Sequence, residues 1–488
     1  MQKIFEKIDE KSLILFLLAV AFIVRLLGAD SFSLWFDEAL NFRIVSNPWN
    51  VLWISNYDPT PPLYYSILKV FISPNTSELT MRLPSIIFGT LTVFIFYKIC
   101  RFFFTKIDSF LATILFSLSV HQVEYSQEAR AYATQLFFAI TALYYLLTIL
   151  LKSPMSKMAY SLYGVFTLCA LYTHNISVFY VVSYNMIFFI HVIKDREYKK
   201  IKPWMLTNSI VFALWLPWPL VTVLSGEGNT FNWLKHISFG QFILSSAKSI
   251  KVSADPDSVK PWDFIFIVAM VYGLWHCVRR EQRNLLIVLF SLAFALLFCV
   301  WAVGFYKPIF MSRTIVGSTL IAYLLIACFL SGINKKLKIA SFGVLSVFHL
   351  LAYSNFYLER YSENEQWKQA ALKLKSMGAS TVMLCSQSPS WVLSYYNNSA
   401  FDIFFYDNSV NGFYESERYL VDKIDKRRSS VGEVLYSNVF KRGDNLYFID
   451  SHCSKETRMK FNDMFELMEI DMENYRRIKI FSAEIHKY

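Results

Sequence analysis

Several segments of the chain set ionisable side chains beside aromatic rings at the edges of long apolar runs. In Trp35-Phe36-Asp37-Glu38 an acidic pair follows an aromatic pair. Such a unit can hold a base close to a lipid headgroup while the rings rest at the membrane interface. In Asp58-Pro59-Thr60-Pro61-Pro62-Leu63-Tyr64-Tyr65 three prolines lock the backbone, and a rigid turn of that kind can fix Asp58 in place. A third segment runs from His121 through Glu128 and Arg130 to Tyr132. Arg130 stands between two long apolar runs, where an unpaired guanidinium is costly, so it should meet a carboxylate or a phosphate. Arg313 sits similarly at the mouth of a later apolar run, and two arginines at one face can clamp an anionic leaving group. His174 ends another run, and a histidine there can act as an acid, a base or a ligand.

Each group also has a plainer use. Asp37 and Glu38 fit a solvated loop with interfacial anchors, and the proline turn fits a helix breaker. Arg130 can pair internally, with Glu128 or Asp37, and His174 and His121 suit hydrogen-bonded anchors.

These segments need elements to position them, and composition says which. The 488 residues are 55% hydrophobic and 18% aromatic, and the mean hydropathy is +0.36, more apolar surface than a soluble core would bury. About eleven runs are long enough to cross a bilayer as helices. The first is Ser12 to Gly28; the others centre near Gly89, Leu115, Leu143, Phe166, Ile187, Leu214, Val268, Leu292, Tyr323 and Leu345. The formal charge of +11 reports topology and no nucleic-acid partner, because the excess Lys and Arg fall in short connections on one side. Examples are Lys152 with Lys157, Lys194 to Lys202, and Arg279, Arg280 and Arg283. The basic rule puts the N-terminus in the cytoplasm and the Asp37, Asp58, Arg130, His174 and Arg313 segments on the opposite face. An odd number of spans then leaves the tail on that face too. The first run lacks a small-residue cleavage site, as expected of an uncleaved span.

From about Asn355 the pattern changes. Residues 355–488 hold 18 Lys and Arg against 19 Asp and Glu and read as a small soluble α/β domain. Helical spacing covers Glu365 to Ser376 and Lys455 to Met468, and strands are expected over Thr381 to Cys385, Leu446 to Ile449 and Arg477 to Ile485. The expected division is therefore a membrane domain over 1–354, with its reactive first loop at about 30–80, and an α/β domain over 355–488. Five of seven cysteines lie in apolar runs without metal-ligand spacing; Cys385 and Cys453 can pair if the tail faces an oxidising compartment.

Taken together, the segments resemble the GT-C superfamily of membrane glycosyltransferases, in the branch of the dolichyl-phosphate-mannose protein mannosyltransferases and the bacterial aminoarabinose transferases. The residues that carry the likeness are Trp35-Phe36-Asp37-Glu38-Ala39, the Asp58 to Tyr65 segment, Arg82-Leu83-Pro84-Ser85, and Tyr125-Ser126-Gln127-Glu128-Ala129-Arg130-Ala131-Tyr132. The likeness is strong over the first third and diffuse beyond it, continuing through Tyr172-Thr173-His174, Ser312-Arg313 and the Gln366-Trp367-Lys368 opening of the tail. It implies an α-helical polytopic membrane fold with a small C-terminal α/β domain, placed in the inner membrane of a bacterium. It also implies a polyprenyl-phosphate sugar as donor and inverting attack by an acceptor hydroxyl. On that pattern Asp37 is the base, with Glu38 and Asp58 as further acidic groups. Arg130, Arg313 and Arg82 hold the donor phosphate, and Tyr64, Tyr65, Glu128, Tyr132 and His174 line the substrate pocket. No cofactor is certain, and a divalent Mg or Mn ion is an optional addition. Thr60 departs from the family, where His or Lys commonly precedes the paired prolines, so no metal or phosphate role passes to that position. A transporter or flippase of lipid-linked sugars, or an inactive relative serving in assembly, would carry similar residues. The clustering of charges at one face favours surface chemistry over midplane transport.

Overall fold

The computed structural model describes residues 8–54, 60–73, 76–152, 156–224, 238, 240–242, 246, 252, 260–306, 309, 311–407, 412–415, 446–451, 453–469 and 478–485. In chain order its principal helices are α1 (Glu10–Leu26), α2 (Phe36–Ser46), α3 (Leu63–Phe71), α4 (Glu78–Cys100), α5 (Lys106–Ser117), α6 (Val120–Ser126), α7 (Tyr132–Leu151), α8 (Lys157–Thr173), α9 (Ser177–Asp195) and α10 (Ile201–Trp215). They continue with α11 (Pro217–Leu224), α12 (Pro261–Arg279), α13 (Arg283–Ala293), α14 (Ser318–Gly332), α15 (Lys335–Glu363), α16 (Trp367–Ser376), α17 (Gln387–Asn397) and α18 (Lys455–Met464). All eleven run centres predicted from sequence fall on helices.

Seven helices among the described residues are long and apolar enough to cross a membrane, and α14 is a shorter apolar helix. The remaining three centres lie on α1, α5 and α8, of 17, 12 and 17 residues. Leu206, Ile210, Phe212 and Leu214 on α10 are each more than half exposed, as are Phe264, Val268 and Val271 on α12. Apolar side chains in such rows require hydrocarbon as their solvent, and helices satisfy their own backbone groups within it.

Contacts divide the chain into two compact units. The first comprises 1–29, 58–74 and 82–358; the second comprises 30–57, 75–81 and 359–488. In the first unit the helices meet through aromatic packing. Phe96 stacks on Phe116 at 4.2 Å, and Phe188 lies parallel to Trp204 at 4.1 Å. Helices α12 and α14 approach closely because Gly273 faces the backbone of Leu325, where a Cβ would collide with the carbonyl oxygen.

The second unit is built on a six-stranded mixed sheet: β1 (Thr381–Leu384), β2 (Asp402–Asp407), β3 (Gly412–Glu415), β4 (Leu446–Asp450), β5 (Phe465–Glu469) and β6 (Lys479–Ile485). The strand order is β3-β2-β1-β4-β6-β5. The central β1 runs parallel to both neighbours, with Thr381 opposite Asp402 and Leu446. Successive residues of β1 alternate between faces. Val382 and Leu384 join a core with Trp367, Ala370 and Leu374 of α16, Val392 and Leu393 of α17, and Ala39 of α2. Met383 points the other way and packs with Cys385, Phe404 and Phe448. There Cys385 and Cys453 form a disulfide with their Cα atoms 5.3 Å apart.

Three local expectations change. The helix expected over Lys455 to Met468 stops at Met464, because Phe465–Glu469 pairs antiparallel with β6 and gains backbone partners there. Trp35 to Glu38, expected as a loop, is the start of α2, and residues 120–126 within the expected connection are helical. Helix α16 begins at Trp367; the Glu365 carboxylate before it accepts from Trp367 Nε1 at 2.8 Å and Ser451 Oγ at 3.0 Å.

Candidate functional site

Asp37 and Glu38 occupy the first turn of α2, whose exposed N–H groups and positive dipole end favour carboxylates. Trp35 caps the helix with an extended backbone, and its N–H donates to Glu38 Oε2 at 3.2 Å. Glu38 is fully buried, whereas the neighbouring Asp37 is half-buried. The two acids thus have different surroundings: Glu38 closes the helix start, and Asp37 keeps part of its surface exposed.

Helix α2 is fastened to the tail within the second unit. Phe36 and Ala39 pack into the core under the sheet, and Phe42 meets Tyr395 edge-on at 4.9 Å. The Leu34 N–H donates to Tyr396 Oη at 2.8 Å, and Tyr396 Oη donates to Glu78 at 3.3 Å. Lys368 pairs with Glu78 at 3.0 Å, and its backbone N–H donates to Ser33 Oγ at 3.2 Å. The position of Asp37 is therefore set by residues more than three hundred positions away.

In the first unit the candidate residues gather around Tyr132, which opens α7 with its ring buried. The Arg130 guanidinium stands 5.9 Å from the Tyr132 ring centroid, and the charges of Arg130, Arg313 and Glu128 all bear on the same phenol. Arg313 comes from a short 3-10 turn, Ser312–Ile315, 183 positions after Arg130 in sequence. The His174 and Tyr125 rings lie 5.4 and 5.5 Å from that of Tyr132. A hydroxyl chain extends the cluster: Ser85 Oγ lies 3.2 Å from Tyr64 Oη and donates to the Arg130 carbonyl at 3.1 Å. Tyr65 is buried beside Tyr64, their ring centroids 6.3 Å apart. Arg82 is fully buried and donates to the Ala29 carbonyl at 2.7 Å. Asp58 lies outside the described residues.

Sequence reasoning missed two members. Ser85 carries no charge and shows its role only through the Tyr64 and Arg130 contacts. Arg25 lies inside the first apolar run, and its signal was a single charge among 17 residues of span.

One group of three side chains among the described residues can hold a metal: Cys385, Asp450 and Cys453, with ligand atoms within 4.8 Å of one another. The two sulfurs are bonded to each other and Asp450 is ion-paired with Arg458, so the trio offers no thiolate. Its donor set also fails to fit Mg or Mn, which prefer oxygen.

Residues 59–220 match the dolichyl-phosphate-mannose-protein mannosyltransferase family. No curated protein matches the chain in sequence. Among solved structures, the chain is similar to ArnT from Cupriavidus metallidurans in the apo state: 11% identity, TM-score 0.51, covering 97% of this chain and 98% of that one. The same enzyme bound to undecaprenyl phosphate gives 12% identity and a TM-score of 0.50 over the same shares. The S. cerevisiae protein O-mannosyltransferase Pmt1-Pmt2 complex bound to the sugar donor shares 19% identity over 46% of this chain, with a TM-score of 0.39. The chain spans 36% of that protein's length. The fold is that of the GT-C membrane glycosyltransferases, a mostly helical membrane part with a small sheet in the C-terminal region.

Proposed function

We propose that this chain, with its GT-C fold and its mannosyltransferase-family segment at 59–220, is an inverting glycosyltransferase. It transfers a monosaccharide from a polyprenyl-phosphate carrier to a hydroxyl acceptor. The observation that carries the reading is Arg130 standing 5.9 Å from the Tyr132 ring centroid beside the His174 and Tyr125 rings, with the charge of Arg313, from a distant segment, bearing on the same phenol. The binding of undecaprenyl phosphate by ArnT supports a carrier of that chemical class.

The acceptor oxygen attacks the anomeric carbon and passes its proton to the Asp37 carboxylate. The bond from that carbon to the phosphate oxygen breaks on the opposite side, and the prenyl phosphate leaves with the electron pair. An alkyl phosphate is an adequate leaving group, so the protein mainly needs to take a proton and neutralise charge. Asp37 serves the first need and Arg130 and Arg313 the second, with Glu38 holding the start of α2 and Tyr64, Tyr65, Glu128, Tyr132 and His174 shaping the pocket. A divalent Mg or Mn ion would add charge neutralisation at the phosphate, and the Asp37 carboxylate is an oxygen donor of the kind it would prefer.

The second unit supports an arrangement in which first loop and tail share a face. Residues 30–57 and 359–488 belong to one compact body, and ten of the eleven expected spans lie between them. An even number of crossings returns the chain to the side it left. The basic connections favour the exterior of a bacterial inner membrane for that side, and the Cys385–Cys453 disulfide supports it. The experiment is transfer from a synthetic prenyl-phosphate sugar in proteoliposomes, comparing the protein with its Arg130→Ala and Arg313→Ala variants.

A further inference from the structure

The first membrane helix contains a charge that the proposed chemistry leaves unused. Arg25, one residue from the end of α1, is fully buried. Its Nε donates to Ser126 Oγ at 3.1 Å, and its Nη1 donates to the carbonyls of Ala21 at 3.1 Å and Ser117 at 3.2 Å. Its Nη2 is buried with no partner. No carboxylate pairs with Arg25 among the described residues.

A buried guanidinium without a counter-charge costs several kcal/mol, and a Met or Leu of similar length would fill the space without that cost. Packing therefore does not account for Arg25. Its contacts point to another use. Ser117 is the last residue of α5 and Ser126 the last of α6, so the guanidinium bridges both ends of the α6 segment to α1. It also supplies positive charge where the carbonyls of α5 end. The Gln127 side chain completes the clasp, donating to the Arg25 and Leu27 carbonyls at 3.0 and 2.7 Å. Glu128 and Arg130 follow immediately. Gly89 of α4 is what permits the approach: a Cβ there would overlap Ser126 Oγ and press on Arg25 Nε.

We propose that Arg25, seated against Gly89, is a positioning residue for the anion site: it clamps Ser126 and Gln127 so that Arg130 is presented to the donor phosphate. This rests on the reading of Arg130 as a phosphate ligand. Misplacing a reacting or binding group by about 1 Å can cost about a hundredfold, so a clamp three residues from the ligand is worth holding at some expense in stability.

The test measures binding of undecaprenyl phosphate, with undecaprenol as the uncharged control, to the purified full chain and its Arg25→Met, Arg25→Lys and Gly89→Ala variants. Native mass spectrometry gives the affinities and a thermal scan gives the unfolding midpoints. Arg25→Met and Gly89→Ala should each weaken phosphate binding about tenfold or more while leaving undecaprenol binding unchanged. Arg25→Lys should recover part of the loss, and the midpoint of Arg25→Met should equal or exceed that of the parent. Equal affinities in the parent, Arg25→Met and Gly89→Ala would overturn the inference, and so would a loss in Arg25→Met matched by a falling midpoint. If Arg25→Met does not fold, Gly89→Ala and Arg25→Lys decide. A parent that prefers undecaprenol or binds both lipids alike would instead remove the phosphate-site reading itself, and the clamp with it.

Discussion

The backbone N–H of Leu34 donates to the Tyr396 hydroxyl over 2.8 Å, joining the residue three positions before Asp37 to a helix of the α/β tail. Because Tyr396 also reaches Glu78, one phenol ties three separate stretches of chain. Removing that hydroxyl leaves a backbone donor and a carboxylate short of a partner, at about 1–3 kcal/mol. Tyr396→Phe should therefore speed hydrogen exchange at the Leu34 amide and lower sugar transfer, with the membrane helices unchanged. Exchange mass spectrometry of the 30–46 region checks it; protection equal to the parent would count against the clasp.

Arg130 and Arg313 are proposed to neutralise the leaving phosphate, so their loss should be felt at the donor. Arg130→Ala and Arg313→Ala should each raise the donor KM about tenfold or more, since hydrogen bonds to charged groups are worth about 1.5–3 kcal/mol. The acceptor KM should change little. Steady-state kinetics with each substrate varied in turn distinguishes this from a general loss of activity.

Serine at Cys385 or Cys453 opens a crosslink that spans 68 positions. Closing a loop of that length in the unfolded chain is worth about 4 kcal/mol in the chain-entropy picture. The variants should lose tail protection against protease while the membrane part stays intact. Alkylation without reductant should label only cysteines other than this pair; labelling of Cys385 or Cys453 in protein from intact cells would contradict an oxidised exterior tail.

The membrane helices were legible because an apolar run of twenty residues has few other uses in a chain this hydrophobic. The central strands Thr381–Leu384 and Leu446–Asp450 were legible from their β-branched and aromatic content. Helix α17 was not, since Gln387–Asn397 contains a proline, and neither were strands β2 and β3. The edge strand Phe465–Glu469 looked helical because its hydrogen-bonding partner, β6, comes later in the chain. At the site, charges beside apolar runs singled out Arg130 and Arg313, but that both bear on Tyr132 depends on packing across 183 positions. The fastening of α2 to the tail had no sequence signal: Leu34 contributes a backbone group and Tyr396 is one of 29 tyrosines. Asp37 and Glu38 looked equivalent in sequence; the structure separates them, since Glu38 is fully buried and accepts from the Trp35 N–H whereas Asp37 is half-buried.

The roles within that acidic pair give a further prediction. Glu38→Gln keeps an acceptor for the Trp35 N–H and should retain most activity, whereas Glu38→Ala frees the start of α2 and should cost about 1 kcal/mol of local stability with a partial loss of turnover. Turnover of the two variants, measured beside helix content, checks the distinction.

The central claim is that the Asp37 carboxylate takes the acceptor proton. Asp37→Asn preserves size and helix position while removing the base. Its turnover with a prenyl-phosphate sugar in proteoliposomes should fall by about a hundredfold to ten-thousandfold, with donor affinity retained. Turnover within a few-fold of the parent, in correctly inserted protein, would contradict the account.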